Sequence, residues 1–231
     1  MFLGNQQQVL EQALAELGLS LDDLKHDVYG SSPGASDWLV RALQLGSNRQ
    51  DFIRRYSYAV PTREALQAIA RYSPLVEVGA GTGYWAMLLQ DAGADVVALD
   101  THPPHPGNKN TFVKPFAYTE VLFGGPGSLK RYPDRTLFLC WPPYNTPMAM
   151  ACLKVYRGQQ LVYIGEGEWG CTGDKAFHRA LAREWEVLER IELPQWPGIH
   201  DGLRIYRRKG ICDKVPCTET EERPPGEEAV L

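Results

Sequence analysis

The stretch Val76-Glu77-Val78-Gly79-Ala80-Gly81-Thr82-Gly83-Tyr84, resumed by Val96-Val97-Ala98-Leu99-Asp100, decides the fold. Leu75-Val76-Glu77-Val78 reads as a short apolar strand. Three alternating glycines permit a tight turn and a close approach of ligand to backbone. Tyr84 to Ala92 reads as a helix with Trp85, Leu88 and Leu89 inward, and Asp95 to Asp100 as a second strand. Strand, turn, helix and strand make a βαβ unit, whose parallel strands need a right-handed crossover. The new helix offers unpaired N–H groups at its start. Asp100, at the tip of the second strand, stands where nucleotide-binding βαβ units carry an acid about 20 residues beyond the turn, able to accept from ribose hydroxyls.

Outward from this unit, strands and helices keep alternating. Arg135 to Trp141 reads as a strand, Pro147 to Tyr156 as a helix, Gln160 to Gly165 as a strand and Asp174 to Trp185 as a helix. Glu186 to Leu193 and Leu203 to Arg208 read as two closing, antiparallel strands. Thr101 to Gly127 is rich in loops, with a weak strand at Thr111-Phe112-Val113. The expectation is an α/β, Rossmann-like doubly wound sheet of seven strands. Residues 1–72 show helical spacing, as at Val9, Leu10, Ala13, Leu14 and Leu17, and are read as an N-terminal helical cap. Residues 73–210 form the core. Residues 211–231 are charged and Pro-containing, and read as a disordered acidic tail.

The glycine spacing is Gly-x-Gly-x-Gly, preceded by the acid Glu77. Here the chain resembles the class I S-adenosylmethionine-dependent methyltransferases, whose first motif runs acid-x-Gly-x-Gly-x-Gly. The resemblance implies S-adenosylmethionine as cofactor, bound by Gly79, Gly81, Gly83 and Asp100, with Glu77 near the methionine ammonium. Cys140-Trp141-Pro142-Pro143-Tyr144-Asn145 follows the fourth strand. It is similar to the Asp/Asn-Pro-Pro-Tyr/Phe turn of amino-methyltransferases. Trp141 stands where that motif has Asp or Asn, and an indole donates one hydrogen bond and accepts none. Trp141 and Pro142 are expected beside the cofactor, and Tyr144 beside the acceptor. Prolines remove two donors and leave rigid carbonyls, candidates to accept from an amine. Asn145 or Glu166 is a candidate replacement for the missing side-chain acceptor.

Other candidates lie at the same edge. Glu166 and Glu168 follow the fifth strand among glycines, and Glu166 is a candidate contact for a cationic or hydroxyl-bearing substrate. His200 is a candidate general base, with Asp201 next to it in sequence. Tyr56 and Tyr58 read as lid residues or as packing. His102 and His105 sit among prolines without a carboxylate or Cys partner, so no metal is expected.

Composition narrows the classes. There are 24 Lys and Arg against 28 Asp and Glu, a formal net charge of −4, which disfavours a broad nucleic-acid footprint. Five cysteines without a Cys-x-x-Cys pair indicate reduced thiols and a cytoplasmic protein. No membrane span and no secretory signal are apparent. The expected activity is methyl transfer to a nitrogen or oxygen of a small molecule or protein side chain. An NAD(P)-dependent oxidoreductase and a non-catalytic methyltransferase-like binding module stand as alternatives. The sequence is silent on oligomeric state.

Overall fold

The computed structural model describes residues 14–15, 48–106 and 115–210. Most of residues 1–47, the weak strand at 111–113 and the 211–231 tail fall outside the described residues. The core is one sheet of seven strands. These are β1 (Leu75–Val78), β2 (Val96–Asp100), β3 (Val121–Phe123), β4 (Thr136–Cys140), β5 (Gln160–Gly165), β6 (Trp185–Glu192) and β7 (Gly202–Arg208). Their order across the sheet is β3-β2-β1-β4-β5-β7-β6. β1 to β5 run parallel, whereas β7 is antiparallel to both β5 and β6. The expected doubly wound sheet with two closing antiparallel strands is present. β3 is formed by Val121-Leu122-Phe123, inside the segment read as loop. Three residues between Gly- and Pro-rich flanks carry too short a period to announce a strand, and pairing with β2 makes one of them.

β1 shows why this sheet is a parallel, two-sided core. All four of its residues are buried, as expected for a central strand covered on both faces. Helices α1 (Arg63–Ala70) and α2 (Tyr84–Asp91) pack on one face; α3 (Met148–Val155) and α4 (Lys175–Glu184) pack on the other. Local chemistry sets their starts. Thr62 caps α1 by accepting from the Ala65 N–H, and Asp174 caps α4 by accepting from the Phe177 N–H. α2 instead begins at Gly83, in the left-handed region and without a side-chain cap. Its first N–H groups therefore face the end of the sheet without a capping oxygen.

Within residues 1–72, residues 48–55 are helical and α1 follows. Leu14, Phe52, Val60 and Trp196 form a small cluster of their own. Phe52 stacks obliquely on Tyr56, and Tyr56 in turn contacts the rings of Tyr84 and Tyr118. The Thr82 hydroxyl donates to the Tyr56 carbonyl at 2.9 Å. This aromatic run and the Thr82 bond fasten the segment before β1 onto the glycine turn.

Candidate active site

Strand order reverses between β1 and β4, and open α/β sheets bind ligands at such a switch point, outside the carboxyl ends of the strands. A cavity of about 430 Å³ lies there, within the range of small-molecule sites. Its floor is the glycine turn. Gly79, Gly81 and Gly83 have φ of 83°, 56° and 73°, values that side-chain-bearing residues rarely adopt. At Gly83 a Cβ would also come within 2.9 Å of the Val121 methyl and 3.0 Å of the Thr119 methyl. At Gly81 a Cβ would meet nothing within 4 Å, so that position is bare for the sake of the backbone and the space above it.

Asp100 organises the turn. Its Oδ2 accepts from the Gly81 N–H at 2.9 Å and its Oδ1 from the His102 N–H at 2.8 Å. A carboxylate has about four acceptor positions, so both oxygens retain capacity for ribose hydroxyls. The turn and the acid are thus one preformed unit, nineteen residues apart in sequence.

Glu77 is the anomaly of the site. It is 2% exposed in a strand of otherwise apolar residues, and its Oε2 is shielded with no hydrogen-bond partner among the described residues. Charged side chains are almost never buried unless paired. Desolvation, with the Asp100 charge nearby, pushes the Glu77 carboxyl up to about 8. Glu77 lines the cavity. A cationic donor placed there would satisfy the oxygen and restore the ionised form.

The opposite wall is the Trp141-Pro142-Pro143 turn. Trp141 has φ of 50° and Asn145 of 51°, an outlier conformation for a bulky residue. Four contacts hold Trp141 there. Its backbone N–H donates to the Ile164 carbonyl at 2.8 Å, and its indole N–H donates to Asp201 Oδ2 at 2.7 Å. Tyr58 stacks on its ring at 5.2 Å, and the Arg49 guanidinium lies 5.4 Å from the ring centre. A sparsely populated backbone conformation persists only where its surroundings fix it, as these four contacts do.

The expected proline acceptors are otherwise engaged. The Pro142 carbonyl accepts from the Gly173 N–H at 2.9 Å, and the Pro143 carbonyl from the Thr146 hydroxyl at 3.1 Å. Both carbonyls serve to build the turn and dock it on the loop after β5.

The sequence-predicted residues divide in two groups. Glu77, Gly79, Gly81, Asp100, Trp141 and Pro142 line the cavity, as do Tyr56, Tyr58 and His102. Gly83 is not among the lining residues and serves as the N-cap of α2. Tyr144, Glu166 and His200 do not line it. Tyr144 is 64% exposed on the outer side of the turn. Glu166 is buried, with Oε2 accepting from the Cys171 N–H at 2.7 Å and the Cys171 thiol at 2.9 Å, and Oε1 accepting from the His200 N–H at 2.7 Å. Burial raises its carboxyl, and these donors outweigh that and hold it below its usual value. Glu166 therefore ties the β5 loop to the β6–β7 turn. The His200 side chain is exposed. Asp201 does not orient it; Asp201 is 2% exposed and turned inward to Trp141. Desolvation, reinforced by the Glu166 charge, pushes Asp201 up to about 6 against the pull of the indole bond.

Asp201 was absent from the expected catalytic set, although its place just before the buried positions of β7 points it inward. Leu203 and Ile205 are buried at alternate positions of β7, and Asp201, two residues before Leu203, is buried as well, whereas His200 is exposed. Among the described residues no group of three or more His, Cys, Asp or Glu could hold a metal ion, and no helix is long and apolar enough to cross a membrane.

No family model matches the chain, and no curated protein matches it. Among solved structures, it is similar to magnesium protoporphyrin IX methyltransferase from Synechocystis PCC 6803 with bound S-adenosylmethionine, at 13% identity over 88% of this chain and 97% of that chain, with a TM-score of 0.40. It is also similar to the N-methyltransferase NodS from Bradyrhizobium japonicum WM9 in complex with S-adenosyl-L-homocysteine, at 14% identity over 86% and 99%, TM-score 0.40. A third is the pyocyanin biosynthetic protein PhzM, at 14% identity over 79% and 62%, TM-score 0.38. At these identities and scores the likeness decides nothing about cofactor or substrate.

Proposed function

We propose that the chain is a methyltransferase that moves a methyl group from S-adenosylmethionine to a nitrogen or oxygen of a small molecule or protein side chain. The observation that carries this reading is the pairing of two carboxylates at one cavity. Asp100 is clamped to the glycine turn with acceptor capacity to spare, and Glu77 is buried with an unpartnered oxygen. A ligand with a ribose at one end and an ammonium at the other complements both. A phosphate-bearing dinucleotide would bring its negative charge beside Asp100 and, at its pyrophosphate, no cation for the unpartnered Glu77 oxygen.

Bound there, S-adenosylmethionine supplies a methyl carbon already activated by its sulfonium, so the protein's task is in-line positioning. Asp100 and the Gly79–Gly83 turn fix the adenosyl end. Glu77 balances the ammonium. Trp141 and Pro142, rigid for the reasons above, exclude water and set the distance to the acceptor. Tyr58, half exposed at the cavity wall and stacked on Trp141, and Tyr144 on the outer rim flank the acceptor's approach. Glu166 and His200 support this wall from behind. The site belongs, on this reading, to a cytoplasmic enzyme.

Calorimetry with S-adenosylmethionine, S-adenosylhomocysteine and NADH tests the proposal. Binding of the two S-adenosyl compounds and not of NADH is expected. Binding of NADH alone would make the chain an oxidoreductase, and binding of none would leave a non-catalytic module.

A further inference from the structure

The wall of the cavity that carries Tyr58, Trp141, Pro142 and Pro143 is apolar and aromatic. Trp141 is engaged on several sides. Its indole N–H donates to Asp201, and the Arg49 guanidinium lies 5.4 Å from its ring centre. Tyr58 lies on the same indole, with ring centres 5.2 Å apart and planes 18° from parallel. Yet Tyr58 is 48% exposed, and it makes no other ring contact among the described residues. One face of Tyr58 is therefore covered and the other is open. The backbone around it is fixed. The Tyr56 carbonyl accepts from the Thr82 hydroxyl at 2.9 Å, and the Ser57 hydroxyl donates to the Ala59 carbonyl at 2.6 Å. Ala59 and Val60, which follow, are fully buried. An aromatic face held this way binds a partner at low ordering cost. Such a face gains most, beyond the area it buries, from another ring laid parallel and offset.

We propose that the methyl acceptor is a planar aromatic small molecule, and that it stacks on the open face of Tyr58. This rests on the methyltransferase reading above and deepens it. A cofactor of adenosyl size fills much of a cavity of about 430 Å³, so the acceptor meets the wall at its open side, where Tyr58 stands. The stack of acceptor, Tyr58 and Trp141 would end on the buried Asp201 carboxylate that pins the indole. In the transfer, a lone pair on a nitrogen or oxygen of the ring system bonds to the methyl carbon. The carbon–sulfur pair stays on sulfur, and a proton carried by the acceptor atom leaves to the solvent that reaches Tyr58.

The test is calorimetry on the full chain, first with S-adenosylhomocysteine and then, in the loaded protein, with 1-naphthol and its saturated counterpart decahydro-1-naphthol. The unaltered protein should bind 1-naphthol roughly threefold or more tightly than the saturated compound, the scale an aromatic pair adds beyond burial. Tyr58→Leu keeps an apolar side chain and removes the ring. It should weaken 1-naphthol by roughly three- to tenfold and leave the saturated compound as in the parent. Tyr58→Phe should restore 1-naphthol binding. The comparison in the unaltered protein stands even if Tyr58→Leu unfolds. Equal affinity for the two compounds, no binding of 1-naphthol, or a Tyr58→Leu variant that weakens both compounds alike would each overturn the proposal. If S-adenosylhomocysteine does not bind, the methyltransferase reading falls, and the same probes and variants in the ligand-free protein still decide whether Tyr58 is an aromatic platform.

Discussion

Replacing Glu77 with Gln should stabilise the ligand-free protein while damaging its site. Glu77 is held up to about 8 from an ordinary 4.5, because burial at 2% exposure penalises its charge and Asp100 adds to the penalty. The sign follows from proton linkage. Below pH 4.5 the carboxyl is protonated in both folded and unfolded chains, and its neutral form costs little. As pH rises from 4.5 to 8 the unfolded chain releases the proton and the folded chain keeps it, so stability falls with pH. At about 1.4 kcal/mol for each pH unit, the cost is about 3 kcal/mol at pH 7 and levels off near 5 kcal/mol above pH 8. Glutamine has the shape of the neutral acid and cannot ionise. Urea unfolding of both proteins without ligand, at pH 5, 7 and 8.5, reads the difference through the midpoint at constant slope. The variant's advantage should be under about 1 kcal/mol at pH 5 and grow by roughly 1.4 kcal/mol per pH unit toward pH 8. Comparing the two chains cancels Asp201, whose raised value also makes the protein less stable as pH rises, through pH 6. A variant that is less stable than the parent at pH 8.5, or whose advantage ignores pH, would refute the reasoning.

Three further outcomes follow from the geometry. Asp100→Ala should weaken S-adenosylmethionine by ~1.5–3 kcal/mol through lost bonds to a charged group, and should loosen the turn by freeing the Gly81 N–H; unchanged affinity by calorimetry in a folded variant would remove the ribose from this acid. Gly83→Ala places a methyl 2.9 Å from Val121 at φ of 73°, so it should lower stability by at least ~1 kcal/mol and depress cofactor affinity with it, as read by thermal unfolding with and without ligand. Trp141→Phe leaves the Asp201 carboxylate without its indole donor and should cost about 1–3 kcal/mol of stability. That loss should be largest above pH 6, where Asp201 is ionised, and an equal loss at pH 5 and 8 would contradict the assigned role.

The βαβ unit was legible because each of its parts is local. Apolar runs, alternating glycines and a terminal acid are written within one short stretch, and β1 and β2 begin and end within a residue of where periodicity puts them. β3 was not legible, since Val121-Leu122-Phe123 becomes a strand through pairing with β2 rather than through any pattern of its own. Around the cavity, the residues picked out by the pattern of the chain near them, Glu77, Gly79, Gly81 and Asp100, are among its lining. Roles that depend on long-range contact were not legible. Trp141 meets Asp201 across 60 positions, and Glu166 meets the His200 backbone across 34. Sequence proximity suggested a His200–Asp201 pair, whereas Asp201 turns inward to Trp141 and His200 is exposed just before β7. The Pro142 and Pro143 carbonyls looked free because their partners, Gly173 and Thr146, are fixed only by the folded turn.

The most direct measurement is a crystal structure of the protein with S-adenosylhomocysteine. The ribose hydroxyls should sit on the Asp100 carboxylate, and the amino group should sit at Glu77 above the Gly79–Gly83 turn. An adenosyl group found elsewhere on the molecule, with this cavity empty at saturating ligand, would contradict the account.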